Sequence, residues 1–390
     1  MKDYEKSGQP RALMLASVAS MIDLFNTENI TILKRLGCKV DVAANFREGS
    51  ITNQQRVDEY KEELREQQVD VTEVPIPRSI FQVSNIIKSF KIVKRLAKTR
   101  HYRIVHCHSP IGGVIARMAF KTTRREGTKV IYTGHGLHFF KGAPLKNWIM
   151  FYPIERYCVK LTDVLIAINQ EDLKREKKWN SCQVEYVPGI GVDTKAILQT
   201  VVDKEKMRSQ FGFDKNDFVF MSTGQISVRK NHEVIIRALS KIHDKRIKYL
   251  IVGFGELEEK LKTLTRELGI DDRVVFAGYR GDVKQLLHAV DAFAFPSLQE
   301  GLPVALMEAM AAGLPIVCSR IRGNVDLITN GEGGFIYDCH DVDGFAEGMS
   351  QIVKKDVERR MREINIERIK AFDKEVVNSR MEHIYKSQLG

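Results

Sequence analysis

The stretch "AFAFPSLQEGLPVALMEAMAAGLPIVCSR", Ala292 to Arg320, reads as strand, turn, helix and strand. Its first and last runs are short and apolar, as strands covered on both faces are. Pro303 suits the first turn of a helix, where its missing N–H is no loss, and Gly313 suits a left-handed stop. Between them the only polar side chain is Glu308. A helix that is apolar all round is buried, so Glu308 is expected to have no water face and to need a partner from the protein or a ligand. Strand, crossover helix and strand form the repeating unit of a parallel sheet.

The same unit recurs outward from this stretch. "FVFMSTG", "YLIVGFG" and "VVFAGY" precede it as strand candidates. "RALMLASVA", "KVDVAAN", "VTEVPI", "IVHCHS", "KVIYTGHG" and "VLIAIN" fill the first half. Helical patterns lie between them, as in Asn85 to Lys98, where Ile86, Phe90, Val93 and Leu96 recur near helical spacing. Glycine and proline interrupt the pattern at "VEYVPGIGVDTK", Val184 to Lys195, which suits a linker.

At 390 residues the chain exceeds what one core usually supports. The predicted fold is α/β, with two Rossmann-like parallel-sheet domains facing across a cleft, the default ligand position. The domains are expected at residues 1–195 and 196–370. A C-terminal helix, about 371–390, is expected to pack back on the first through Val376, Met381, Ile384 and Tyr385.

Composition narrows the function classes. Hydrophobic content of 43% and charged content of 28% fit a globular protein, and no apolar run reaches the roughly 18 residues of a spanning helix. The N-terminal "MKDYEKSGQPRALML" lacks a signal peptide's apolar core. Six scattered cysteines, without a CxxC pair, read as free thiols in a reducing cytosol. Net charge is +11, and Ser84 to Lys129 holds twelve Lys or Arg against one acid, Glu126. That field attracts anionic membrane, nucleic acid or nucleotide sugars. No recognition-helix or RNA-binding motif is present, so specific nucleic-acid binding is not expected.

Three loops carry candidate chemistry. Glu300 precedes the amides of Gly301, Leu302 and Val304, a helix start that favours anions and oxygen acceptors. "STGQISVRKNHEVIIRAL", Ser222 to Leu239, has Gly224 in its turn, then Arg229 and Lys230, with Asn231 as the expected N-cap. Adjacent cations there can neutralise a diphosphate. In "VGFGELEEKL", Gly253 and Gly255 let a backbone approach closely, as a plain tight turn also would. A structural Glu308 paired to a buried cation is the competing reading of that residue. His106, His108, His135 and His138 gather at the ends of two strand candidates, His106 and His108 on one face. No acidic or Cys partner stands at metal-ligand spacing, so no metal is expected. Asp341-x-Asp343 is expected to cap a helix.

Together, G-x-I-S-x-R-K-N-H, "VGFGEL", "FAGYRGDV", "PSLQEGLPVALMEAMAAGLPIV" and "GGFIYD" resemble the retaining glycosyltransferases of the GT-B fold, family 4. Glu300 and Glu308 match that family's E-x7-E signature. "VHCHSPIGGVIAR" and "YTGHGLHFFKGAPLKNW" resemble a branch in bacterial surface polysaccharide assembly.

The resemblance implies that Arg229 and Lys230 hold the donor diphosphate and that Glu308 accepts ribose hydroxyls. Glu300 would hold the donor sugar above the Gly301–Leu302–Pro303 backbone, with Gly224 and Gly253 in the donor loops and Tyr279 and Arg280 framing the base. His135 matches the N-domain histidine near the reacting centre, with Ser17, His108 and His138 as acceptor-side candidates; His106 reads as a satisfied core histidine. "SVASMIDLF" departs from the family's glycine-rich version and leaves the Ser17 and Ser20 hydroxyls to serve.

The implied activity is metal-independent, retaining transfer of an N-acetylhexosamine or hexose. The donor would be a UDP-sugar and no cofactor would be needed. The acceptor would be a lipid-linked saccharide of the undecaprenyl-diphosphate type. The protein is expected in the cytoplasm, peripheral on the inner face of the plasma membrane through the Ser84–Lys129 region. "KGAPLKNWIMFYPIERYCVK" reads equally as a core helix or a membrane contact. A nucleotide-sugar epimerase of the same fold and a non-enzymatic basic membrane module are the rival readings.

Overall fold

The computed structural model describes residues 8–50 and 52–390. The first seven residues of the stretch read for a leader lie outside the described residues. Among these residues thirteen strands form two parallel sheets. The first contains β1 (Arg11–Val18), β2 (Lys39–Asn45), β3 (Asp70–Glu73), β4 (Ile104–His108), β5 (Lys129–Gly134), β6 (Val164–Ala167) and β7 (Gln183–Tyr186), in the order β3-β2-β1-β4-β5-β6-β7. The second contains β8 (Phe218–Thr223), β9 (Ile247–Val252), β10 (Val274–Gly278), β11 (Ala292–Phe295), β12 (Ile316–Ser319) and β13 (Gly334–Tyr337), in the order β10-β9-β8-β11-β12-β13. The chain forms two compact units, one holding the residues up to Ile190 with Val377–Gly390, the other Gly191–Val376.

Both orders reverse direction once, between β1 and β4 and between β8 and β11. At such a reversal the loops leaving adjacent strands part to opposite faces and open a crevice at the strands' carboxyl ends.

Two edge strands, β7 "QVEY" and β13 "GFIY", escape the strand pattern. β7 is nowhere fully buried, and β13 sits behind a Gly-Gly pair that reads as a breaker. Gly334 nevertheless lies where a Cβ would come 2.3 Å from the Ile316 carbonyl oxygen, so the glycine permits the pairing with β12.

The helix of the opening stretch spans Val304–Ala311, with Pro303 at its N-cap, one step before the expected position. Gly313 has φ +77 and ends it as expected. Burial differs from expectation: Val304, Ala305 and Glu308, spaced to share one helix face, are only half-buried. The helix therefore has an open stripe, and Glu308 lies on it.

The C-terminal helix, Lys374–Leu389, places Val377, Met381, Ile384 and Tyr385 in the first unit's core. Val376, expected among them, is exposed, because the i, i+4, i+7, i+8 face starts one residue later. The helix Val83–Arg100 buries Ser89, Val93, Leu96 and Ala97 and leaves its lysines outside. In the helix Leu145–Cys158, Trp148, Phe151 and Tyr152 pack on the core, whereas Leu145, Ile149, Met150, Ile154 and Tyr157 are exposed. Among the described residues no helix is long and apolar enough to cross a membrane.

Candidate active site

The second unit's crevice lies between β8 and β11, and the polar residues gather there. After β8 the chain turns through Gly224, φ +131, and a short 3-10 turn, Val228–Lys230, delivers the two cations. After β11 the next loop delivers Glu300. Arg229 donates from Nη1 to Glu300 Oε1 at 2.7 Å and to the Gln299 carbonyl at 3.2 Å. Lys230 Nζ donates to the same Oε1 at 2.9 Å. One carboxylate oxygen thus holds both cations.

The cations are not equivalent. The Lys230 side chain is 11% exposed and the Arg229 side chain 48%. Lys230 sits 4.7 Å above the Phe295 ring, and burial lowers its pKa while Glu300 opposes that shift.

The surrounding loops are locked by backbone contacts. Leu298 N–H donates to the Arg229 carbonyl at 2.8 Å. Asn231, the expected N-cap, makes no capping bond. Its backbone is left-handed, φ +55, and its Nδ2 donates to the carbonyls of Pro296 at 3.1 Å and Cys339 at 2.8 Å, joining the loops after β8, β11 and β13. A Cβ on Gly253 would come 1.9 Å from the Gly224 carbonyl oxygen, so the loops after β8 and β9 can approach only with glycine there. Beneath Glu300, Arg322 Nε donates to its carbonyl at 3.2 Å.

Glu308 stands on the open stripe of its helix. Burial raises its carboxyl pKa, and Lys284 partly offsets this. Among the described residues no hydrogen bond reaches that carboxylate. Tyr279 after β10 and Phe254 after β9 are both exposed, their rings 6.4 Å apart and edge to face. Phe254 carries no motif of its own, and its one signal in the sequence is an aromatic between two glycines. Arg280 is engaged elsewhere: its Nε and Nη2 bind Asp282 at 2.8 and 2.5 Å, and its guanidinium lies over Phe211.

The first unit's crevice, between β1 and β4, has neutral chemistry. Ser109 Oγ donates to Ser17 Oγ at 2.7 Å and accepts from Ser17 N–H at 2.9 Å. Gly112 N–H also donates to Ser17 Oγ, at 3.2 Å. Ser109 adopts φ +64, ψ 151, a region nearly reserved for glycine. His106 is fully buried between Tyr385 Oη at 2.6 Å and Thr133 Oγ1 at 2.7 Å, a satisfied core histidine.

His108 links Met14 to His135, with its Nε2 3.2 Å from Met14 Sδ and its Nδ1 3.0 Å from His135 Nε2. A thioether sulfur can only accept, so the His108 Nε2–H points at Met14. His108 Nδ1 then accepts from His135 Nε2–H, which leaves the lone pair of neutral His135 on Nδ1. Burial depresses the His135 pKa to about 4, so the ring is neutral at physiological pH. The His138 ring lies 4.8 Å from that of Phe151, tilted by 39°.

Two family models cover most of the chain: "Glycosyl transferases group 1" matches residues 203–369 and "Glycosyl transferase 4-like" residues 37–169. EpsD of Bacillus subtilis (strain 168), provisionally named a glycosyltransferase, is 33% identical over 88% of this chain and 88% of its own. This chain belongs to the group 1, family 4 glycosyltransferases.

The Escherichia coli UDP-Gal:alpha-D-GlcNAc-diphosphoundecaprenol alpha-1,3-galactosyltransferase is 30% identical to this glycosyltransferase over 68% of this chain and 70% of its own. Among solved structures, Anabaena HepE in complex with UDP and glucose matches with TM-score 0.74 over 97% of this chain and all of its own, at 19% identity. That likeness shows the GT-B fold. Chemically, the second crevice offers two cations, two carboxylates and a helix start. The first offers hydroxyls and neutral imidazoles.

Proposed function

We propose that this glycosyltransferase binds a UDP-sugar in the β8/β11 crevice and transfers the sugar, with retention, to a lipid-linked saccharide in polysaccharide synthesis. The convergence of Arg229 and Lys230 on one oxygen of Glu300 carries this reading. A diphosphate entering there takes over the two cations and frees Glu300 for sugar hydroxyls. Glu308, without a partner on its open stripe, accepts from ribose hydroxyls, and Tyr279 with Phe254 flanks the base.

As the anomeric C–O bond breaks, negative charge grows on the departing diphosphate. Lys230 and Arg229 stabilise it there more than in the ground state. The acceptor hydroxyl attacks from the face the diphosphate leaves, and its proton passes to the leaving phosphate oxygen. His135 Nδ1 accepts a hydrogen bond from a hydroxyl of donor sugar or acceptor. Two fixed cations supply the charge a divalent ion would, so turnover is expected to survive EDTA. The exposed apolar residues of the helix Leu145–Cys158 and the lysines of the helix Val83–Arg100 support contact with the inner membrane face.

The test is a donor panel read by mass spectrometry with an undecaprenyl-type acceptor analogue. Transfer from a UDP-sugar with EDTA present supports the reading. Product retained on UDP without acceptor indicates an epimerase, and no turnover or UDP binding across the panel overturns the proposal.

A further inference from the structure

The first unit has a second cavity, of about 520 Å³, at the carboxyl ends of β2 and β3. Asn45 at the end of β2 lines it with Arg47 and Glu48 of the following loop, and the loop after β3 supplies Arg78. Asn45 Oδ1 accepts from the N–H groups of Arg47 at 3.0 Å and Glu48 at 2.9 Å, which fixes the turn. Arg78 Nη1 donates to the Gly49 carbonyl at 3.1 Å, so its stem is anchored while most of its donors stay unused. Glu73 also faces the cavity; its carboxylate accepts from Phe46 N–H at 3.2 Å and feels the Arg47 charge from beyond ion-pair distance.

Four arginines elsewhere in this unit hold carboxylates, Arg11 with Asp41, Arg56 with Asp23, Arg117 with Glu155 and Arg124 with Asp163, whereas Arg103 and Arg156 bind backbone carbonyls. Arg47 and Arg78 make no ion pair among the described residues. Two guanidinium groups with no carboxylate at ion-pair distance, set at one cavity beside Glu48 and Glu73, offer donors for phosphate oxygens.

The chain beyond Arg78 has opposite character. Ile80, Phe81, Val83 and Ile87 are all exposed, and Phe81 is 84% exposed. From Val83 the spacing Ile87, Lys91, Lys94, Lys98 continues along one helix face, apolar at its start and basic beyond, and the three lysines are exposed. A phosphate-binding cavity, an apolar tip and a row of cations follow one another within about 20 residues of chain. That sequence of surfaces is complementary to a diphosphate lipid lying in an anionic membrane.

We infer that this cavity holds the diphosphate of the lipid-linked acceptor on Arg47 and Arg78, while Ile80, Phe81, Val83 and Ile87 enter the lipid phase beside it. The inference rests on the lipid-linked acceptor proposed above and adds the place where its phosphates bind.

The test is flotation of the full chain with phosphatidylcholine vesicles of three kinds: plain, doped with phosphatidylglycerol, or doped with undecaprenyl diphosphate N-acetylglucosamine at matched charge. The native protein is expected to prefer the diphosphate vesicles, with soluble pyrophosphate competing. The double substitution Arg47→Gln and Arg78→Gln should lower that preference about tenfold or more, since two charge-assisted contacts are lost. Phe81→Ser should weaken binding to every vesicle. UDP binding by calorimetry, which reads the second unit, should be unchanged in all variants. An undiminished preference in the double variant, or equal binding of phosphatidylglycerol and diphosphate vesicles, overturns the inference. If the native protein binds no UDP, the glycosyl-transfer reading falls while the vesicle comparison still decides the cavity.

Discussion

The two crevices share a topology and differ in chemistry. Beside the β8/β11 crevice the loops after β8 and β9 are pressed backbone to backbone through Gly224 and Gly253, and three charged side chains meet in the opening. Between β1 and β4 the backbone approach is made by serines, one in a glycine-like conformation, and the titratable groups are buried imidazoles. A strand reversal thus supplies the place for a ligand, and the loop residues decide which one. The charged crevice suits a diphosphate, and the neutral one suits hydroxyl groups.

The largest effect that tests this contrast is on catalysis. Lys230→Ala is expected to lower kcat by about 10²–10³, roughly 3–4 kcal/mol of transition-state stabilisation. Ser17→Ala is expected to cost less than about tenfold, because it removes only neutral hydrogen bonds. Steady-state rates of both variants check this, and similar losses would erase the distinction.

Next in size is Gly253→Ala. Its new methyl would overlap the Gly224 carbonyl, so the second unit should lose on the order of 3 kcal/mol, read by urea denaturation. Ser109→Gly in the first unit should move stability little or upward by about 1 kcal/mol, since relieved strain offsets the lost hydroxyl bonds. Equal destabilisation by both changes would contradict the description of the two loops.

Acidification separates the units more gently. Burial holds His106 at about 3, His135 at about 4 and His108 well below 6.5 in the first unit, and His232 at about 4 in the second. Below pH 6.5 the unfolded chain takes up these protons before the folded chain does. Stability therefore falls as pH drops from 6.5 toward 4, by about 1.4 kcal/mol per pH unit for each such histidine. With three of the four, the first unit should melt first on acidification, as followed by hydrogen exchange at stepped pH. Uniform exchange across both units would count against it.

Much of this was legible in the sequence where local chemistry and burial agree. Eleven strands announce themselves as apolar runs, and the two missed are edge strands, one of them disguised by glycines. The cluster of Arg229, Lys230 and Glu300 could be anticipated from motif residues, but not that Glu300 would hold both cations. Glu308 was expected to have no water face and to need a partner from the protein or a ligand; it stands on an open helix face without a protein partner among the described residues, while Glu300 has two. Asn231 shows why such details stay hidden. Its cap-like position is local, whereas its hydrogen bonds run to residues 65 and 108 positions away.

The central claim is that Arg229, Lys230 and Glu308 together receive a nucleoside diphosphate. Calorimetric titration of UDP into the native chain, Lys230→Ala and Glu308→Gln tests it most directly. The claim predicts measurable binding by the native chain, a loss of about 100-fold with Lys230→Ala and about tenfold with Glu308→Gln, with melting temperatures unchanged. Equal UDP affinity in all three proteins would contradict it.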